Sequence, residues 1–234
     1  HRIVSAKVKR PLKIAIIADI QTDEIGDYER RALELAKAEN PDLVLFAGDY
    51  LQEHDDARRK VLIRDLRVLL KECGFKFGVA VEGNCDYDDW PEIFEGTGVE
   101  LTRETREYRH GDVQITALSL MDSEYANQAK IGPSERFHIV LGHIPNFAEG
   151  NVQADLLVAG HTHGGQVRLP GIGPLITLSR IPRSWAAGLT ELGDRTLIVS
   201  RGIGMERGPA PRLRFLCRPE LVIVDVVPGG RNSE

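Results

Sequence analysis

The chain has 234 residues, 42% of them hydrophobic and 28% charged, with a formal net charge of -5. That length and balance allow a sizeable buried core and carry no signature of disorder, and the negative charge argues against bulk-charge binding of nucleic acid, so no stable nucleic-acid complex is expected. Cys73, Cys85 and Cys217 are too widely spaced for a disulfide framework or a zinc knuckle, and no apolar run approaches the roughly 18 residues of a membrane span.

Residues 1–12 read as a mildly basic, solvated lead-in. The chain opens on His1 rather than Met, which is compatible with a preceding segment. Lys13–Ala18 is apolar on both faces, the pattern of a fully buried strand, and runs into Asp19-Ile20-Gln21. A helical pattern follows from about Tyr28 to Glu39 and stops at Asn40-Pro41-Asp42. The second buried run, Leu43–Ala47, ends in Gly48-Asp49. Leu62, Leu66, Leu69, Leu70 and Cys73 then mark an amphipathic helix closed by Gly74. A third run, Phe77–Val81, ends in Gly83-Asn84-Cys85-Asp86. Any one of these acids or amides fits a helix cap or an Asx-turn. Three successive strand ends of this kind point to a ligand site at the carboxyl edge of a sheet.

Beyond Trp90 come a short helix near Pro91–Glu95 and closely spaced runs at Val99–Leu101, Glu107–His110 and Val113–Leu118, read as the antiparallel part of a second sheet. Residues 121–135 read as a surface loop. His138–Leu141 leads to Gly142-His143, and Leu156–Ala159 to Gly160-His161-Thr162-His163-Gly164-Gly165-Gln166. Val167–Arg183 is rich in Gly and Pro, and the strands Thr196–Ser200 and Leu221–Val227 close the chain around an arginine-rich loop. With no internal repeat and no long linker, one domain, 1–234 with a core of about 13–227, is expected.

The strand-end residues Asp19, Gln21, Asp49, Asn84, His143, His161 and His163 can all reach one rim of the sheets. Hard oxygens mixed with imidazoles suit divalent Mn, Fe, Zn, Ni or Mg and do not suit a thiolate or iron–sulfur site.

Their order resembles the five signatures of calcineurin-like metallophosphoesterases: Asp19-Ile20-Gln21, Gly48-Asp49, Gly83-Asn84-Cys85-Asp86, Gly142-His143 and Gly160-His161-Thr162-His163. The likeness runs from about residue 13 to 227. The stretch Gly160–Gln166, together with Arg201-Gly202-Ile203-Gly204 and Leu216-Cys217-Arg218-Pro219-Glu220, is similar to a bacterial branch of often membrane-associated phosphodiesterases, some of which cut the pyrophosphate of UDP-diacylglucosamine. The resemblance implies an α/β fold, a four-layer αββα sandwich of two mixed sheets flanked by helices. It implies two divalent cations: one held by Asp19, Gln21, Asp49 and His163, the other by Asp49, Asn84, His143 and His161, with Asp49 bridging. It also implies a metal-bridging hydroxide attacking phosphorus in line, with Asn84, Cys85, Asp86 and His143 as the catalytic group.

Two positions depart from that pattern. Gln21 stands where the family usually has histidine: either its amide oxygen, a harder, weaker donor, ligates directly, with Mn the favoured metal, or it only hydrogen-bonds a metal-bound water. Cys85 replaces the histidine that assists the leaving group. A thiol is a weak hydrogen-bonding partner for phosphate, and general-acid help is worth about a hundred- to ten-thousand-fold. Its loss costs least with a stable leaving group, so a phosphodiester or pyrophosphate, small or lipid-linked, is the expected substrate. Asp86 is expected to orient rather than react. Arg168, Arg180, Arg183, Arg201 and Arg207 are candidate contacts for a second phosphate, and Trp185 and Phe215 for an apolar mouth. His54, His110 and His138 match no motif. The alternatives are a broad phosphomonoesterase or a catalytically silent scaffold. A metallo-β-lactamase-type hydrolase is excluded by Gly165 and Gln166 after the histidine pair. The expected location is the cytoplasm or the membrane periphery, compatible with a peripheral membrane contact.

Overall fold

Strict alternation inside the apolar runs decides which layer each side chain enters. The computed structural model describes residues 1–208 and 212–229, so the last residues of the expected domain, 230–234, lie outside the described residues. In the first half, strands β1 (Arg2–Ser5), β2 (Leu12–Ile17), β3 (Leu43–Phe46), β4 (Gly78–Val81) and β5 (Val99–Thr102) are interleaved with helices α1 (Asp27–Ala38) and α2 (Asp56–Cys73). The second half holds β6 (Arg106–His110), β7 (Val113–Ala117), the one-turn helix α3 (Leu120–Glu124), β8 (Phe137–Leu141) and β9 (Leu156–Ala159). It continues with β10 (Arg168–Leu169), β11 (Gly173–Pro174), β12 (Gly188–Leu192), β13 (Arg195–Val199) and β14 (Val222–Pro228).

Two six-stranded sheets result, in the orders β1-β14-β2-β3-β4-β5 and β12-β13-β9-β8-β7-β6. Ile14 and Ile16 of β2, with Leu43, Leu45, Val79 and Val81, face Ile115, Ile139, Leu141, Val158 and Ile198 of the other sheet and form the central core. The intervening Ala15 and Ile17, with Val44, Phe46 and Ala80, pack on Leu33 of α1 and on Leu62, Leu66 and Leu69 of α2. Burying each such aliphatic side chain is worth about 1.5–3 kcal/mol. Helix α2 is bounded chemically: the Asp55 carboxylate accepts from the Arg58 N–H, and Gly74 closes the other end at φ 62°. The outer face of the second sheet is covered more thinly, by α3 and a 3-10 turn at Pro145–Glu149 around Phe147. The layers are those of the expected αββα sandwich.

Several details differ from the sequence reading, among them helix α3, which opens the stretch 121–135 read as a surface loop. Val99–Leu101 does not open the second sheet: β5 adds in parallel to β4 at the edge of the first, and only β6 crosses over. The second sheet is mainly parallel through β7, β8, β9 and β13, with antiparallel pairing confined to β6–β7 and β12–β13. The lead-in is no free arm, because Arg2–Ser5 pairs in parallel with β14 and the amino terminus donates to the Ile223 carbonyl at 2.7 Å. No helix among the described residues is long and apolar enough to cross a membrane.

Candidate metal centre

Parallel strands of both sheets end at the same edge. Asp19 and Gln21 follow β2, Asp49 follows β3, Asn84 and Cys85 follow β4, His143 follows β8, and His161 and His163 follow β9. The loops are laced by backbone bonds, Asp19 N–H to Gly48 C=O at 3.0 Å, Gln21 N–H to Asp49 C=O at 2.9 Å and Gly160 N–H to His143 C=O at 3.1 Å. Backbone approach is close enough to require glycine: a Cβ on Gly160 would lie 2.6 Å from Asp19 Oδ2, and one on Gly83 would overlap Asp49. Asp19, Gln21, Asp49, His161 and His163 all have positive φ, between 37° and 69°. Left-handed conformations in non-glycine residues cost energy and concentrate where function over-determines the backbone.

The seven sequence-predicted residues all follow strands that end at this edge, and the ligand atoms of three of them, Asp49, His143 and His161, form one group. Asp19, Gln21, Asp49, His143 and His163 are buried, His161 is half-buried and Asn84 is exposed at the mouth. His143 Nδ1 donates to the Ala47 carbonyl at 2.7 Å, turning Nε2 towards Asn84 Oδ1 at 2.9 Å and Asp49 Oδ2 at 3.4 Å. His161 gives its Nε2–H to the Leu178 carbonyl at 2.9 Å, which leaves Nδ1 for the centre. Ligand atoms of Asp49, His143 and His161 lie within 4.8 Å of one another. His163 Nε2 is 4.0 Å from Asp19 Oδ1. Two buried atoms of this edge, Gln21 Oε1 and His163 Nε2, have no hydrogen-bond partner among the described residues.

The electrostatics have the same character. Burial raises Asp19 to about 7 despite the opposing charge of His143. Burial would also raise Asp49, but His143 and the Cys85 N–H outweigh it and hold Asp49 ionised. Burial lowers His161 to about 4 and His163 to about 3, so both imidazoles are neutral near pH 7, with His163 Nδ1 accepting from Arg214 at 3.2 Å. Paired buried carboxylates, neutral imidazoles and two orphaned donor atoms are the environment that a divalent cation compensates. The residues present therefore fit a metal centre.

A sequence model of calcineurin-like phosphoesterases matches residues 12–165. The chain belongs to the calcineurin-like phosphoesterase family. This calcineurin-like chain is 31% identical to the Bacillus subtilis metallophosphoesterase YkuE, over 78% of this chain and 67% of the relative. It is 29% identical to the Escherichia coli phosphodiesterase YaeI, over 97% and 87%. Its fold is similar to that of a dimetal phosphatase from Danio rerio, with a TM-score of 0.51 and 13% identity over 82% and 88% of the two chains. Calcineurin-like phosphoesterases are hydrolases that use divalent metals.

Residues around the ligands divide by what they touch. Cys85 Sγ accepts from Gln21 Nε2 at 3.2 Å and Asn84 Nδ2 at 3.5 Å, and burial together with the charge of Asp49 pushes its thiol far above the usual range. Asp86 accepts the backbone N–H groups of Asp49, Tyr50 and Gly83 at 2.8–2.9 Å and so ties the loop after β4 to the loop after β3. Arg201 is engaged with Glu220, and Arg207 with Asp23. Arg180 and Arg183 instead line a 660 Å³ cleft with Asn84 and His161. A second cavity of 320 Å³ is lined by His161, His163, Val167, Leu175, Ile176, Leu178 and Glu206. Two residues escaped the sequence reading. Arg214 donates to the carbonyls of Arg201 at 2.6 Å, Gly204 at 2.9 Å and His163 at 3.3 Å, bracing the histidine loop. Glu206 is buried beside Gln21. Neither belongs to a motif; the only signal was a charge inside a Gly-rich or apolar run.

Proposed function

We propose that this chain is a binuclear-metal phosphodiesterase or pyrophosphatase acting on a substrate with an apolar portion, lipid-linked in its native form. The observation that carries the reading is the group formed by Asp49, His143 and His161, whose ligand atoms lie within 4.8 Å of one another, with the buried, unpartnered Gln21 Oε1 and His163 Nε2 at the same sheet edge. Asp19, Gln21, Asp49 and His163 would hold one cation, and Asp49, Asn84, His143 and His161 the other. When bound, such ions neutralise the phosphate oxygens and lower the pKa of water enough for hydrolysis near neutral pH. The protein's own contribution is orientation. The Ala47 and Leu178 carbonyls fix the ring faces of His143 and His161, and the N–H groups of His161 and Cys85 anchor the Asp19 and Asp49 carboxylates.

Substrate class follows from the chemistry around the leaving group. A thiol at Cys85 is a poor substitute for an imidazole acid, which favours leaving groups that depart without a proton. Arg180 and Arg183 are positioned for a second phosphate. Exposed Ile172, Ile176, Leu178, Leu213, Phe215 and Leu216 lie on the two segments beside the second cavity, joined by the Val167–Phe215 bridge. Ile176 and Leu178 line that cavity, and exposed apolar groups on adjoining segments support an apolar substrate moiety and contact with a membrane surface. With Mn2+ supplied, the protein is expected to hydrolyse bis(p-nitrophenyl) phosphate at least about a hundred times faster than glycerol phosphate, the low end of general-acid effects. Comparable rates on the two substrates would refute the diester assignment.

A further inference from the structure

Gln21 is the weakest donor in the constellation, and its usefulness depends on which end of its amide faces the centre. Its Nε2 donates to Glu206 Oε2 at 3.0 Å. Glu206 Oε1 accepts from Gln52 Nε2 at 2.9 Å and from the Gly208 N–H at 2.6 Å. The Glu206 backbone is held as well: its N–H donates to Gln166 Oε1 at 2.9 Å, and its carbonyl accepts from Gln166 Nε2 at 3.3 Å. The carboxylate is thus met by three N–H donors, and an ionised carboxylate can only accept. The Gln21 amide has one arrangement compatible with that neighbour. Nε2 faces Glu206 and Oε1 faces away, and Oε1 is the buried atom left without a partner.

We propose that Glu206 is a positioning residue that locks the Gln21 amide with its oxygen towards the metal centre, taking the part that a carboxylate plays behind a metal-binding histidine. The inference rests on the binuclear reading above. Glu206→Gln keeps the shape but not the logic. Its single oxygen cannot satisfy donors on both sides, and relief comes when the Gln21 amide turns over and presents N–H groups to the cation. Outer-shell partners of metal ligands are typically worth about 10–100-fold in affinity.

The test is titration of chelator-stripped full-length protein with Mn2+ by calorimetry, in a cycle of Glu206→Gln and Gln21→Ala, with thermal unfolding recorded for each variant. In the Gln21 protein, Glu206→Gln is expected to weaken one of the two Mn2+ sites by about tenfold or more. In the Gln21→Ala background the same change is expected to shift affinity by less than about threefold, because no amide remains to be oriented. Equal losses in both backgrounds, the mark of a direct ligand or a general structural role, overturn the proposal, as does an unchanged affinity in the Gln21 protein. If Glu206→Gln does not fold, Glu206→Asp, which keeps the carboxylate but shortens its reach, takes its place in the cycle, with the same result expected and the same results overturning the proposal. A wild-type protein that binds no Mn2+ refutes the underlying binuclear reading, a result separate from two-site binding that is indifferent to Glu206.

Discussion

His138 shows what burial does to a histidine that serves no site. It is buried in β8 with Nε2 2.8 Å from Thr116 Oγ1, and desolvation lowers its pKa, against Glu107 and Asp155 and with Lys7. The unfolded chain, with an ordinary value near about 6.5, then takes up a proton more readily than the folded one. Its contribution is fully present above that pH and erodes as the pH falls towards the depressed folded value. Urea denaturation between pH 7 and 5 is expected to show a shallower loss of stability in His138→Gln than in the parent; identical slopes would contradict this. The candidate metal-site histidines stood out in the sequence because His143 and the His161–His163 pair each follow an apolar run and a glycine. Glu206 did not, because its meaning lies in a contact with Gln21, 185 residues away. Arg214 was hidden for a similar reason: it acts on carbonyls, which a sequence does not display.

At the scale of elements, the buried strands β2, β3, β4, β8 and β9 were readable since apolar runs bounded by Gly, Asp or His have few other interpretations. What failed was pairing. Three residues separate β5 from β6, a hairpin-like spacing, yet the chain uses them to cross between sheets, because β5 pairs with β4 while β6, among the described strands, pairs with β7 alone. The short β12, half-buried except at the exposed Glu191, gave no apolar signal. The segments around Ile172–Leu178 and Leu213–Leu216 carry the substrate proposal, and they separate from the chemistry experimentally. The double variant Ile176→Ser/Leu216→Ser is expected to raise KM for a diacyl-lipid phosphodiester about tenfold, the equivalent of about 1.4 kcal/mol of lost apolar contact. Its kcat/KM for bis(p-nitrophenyl) phosphate is expected to stay at the parental value. Equal losses on both substrates would show that these residues serve stability rather than an apolar substrate.

At the scale of the molecule, two parallel-rich sheets packed face to face direct strand ends from both halves of the chain to one edge. That shared edge is why residues as distant as Asp19 and His163 come near one another, and why Asp19 of the first sheet can accept the N–H of His161 from the second at 2.9 Å. Fold and centre are therefore one construction, with Asp49 at its middle: its carboxylate is reached by His143 and by the Cys85 N–H. The most direct measurement is the metal content of the purified protein after Mn2+ loading, by inductively coupled plasma mass spectrometry, with Asp49→Asn alongside and circular dichroism confirming that both are folded. A binuclear centre bridged by Asp49 predicts two equivalents in the parent and a loss of both ions in Asp49→Asn, the residue assigned to each. One equivalent or none in the parent, or two retained by Asp49→Asn, would contradict it.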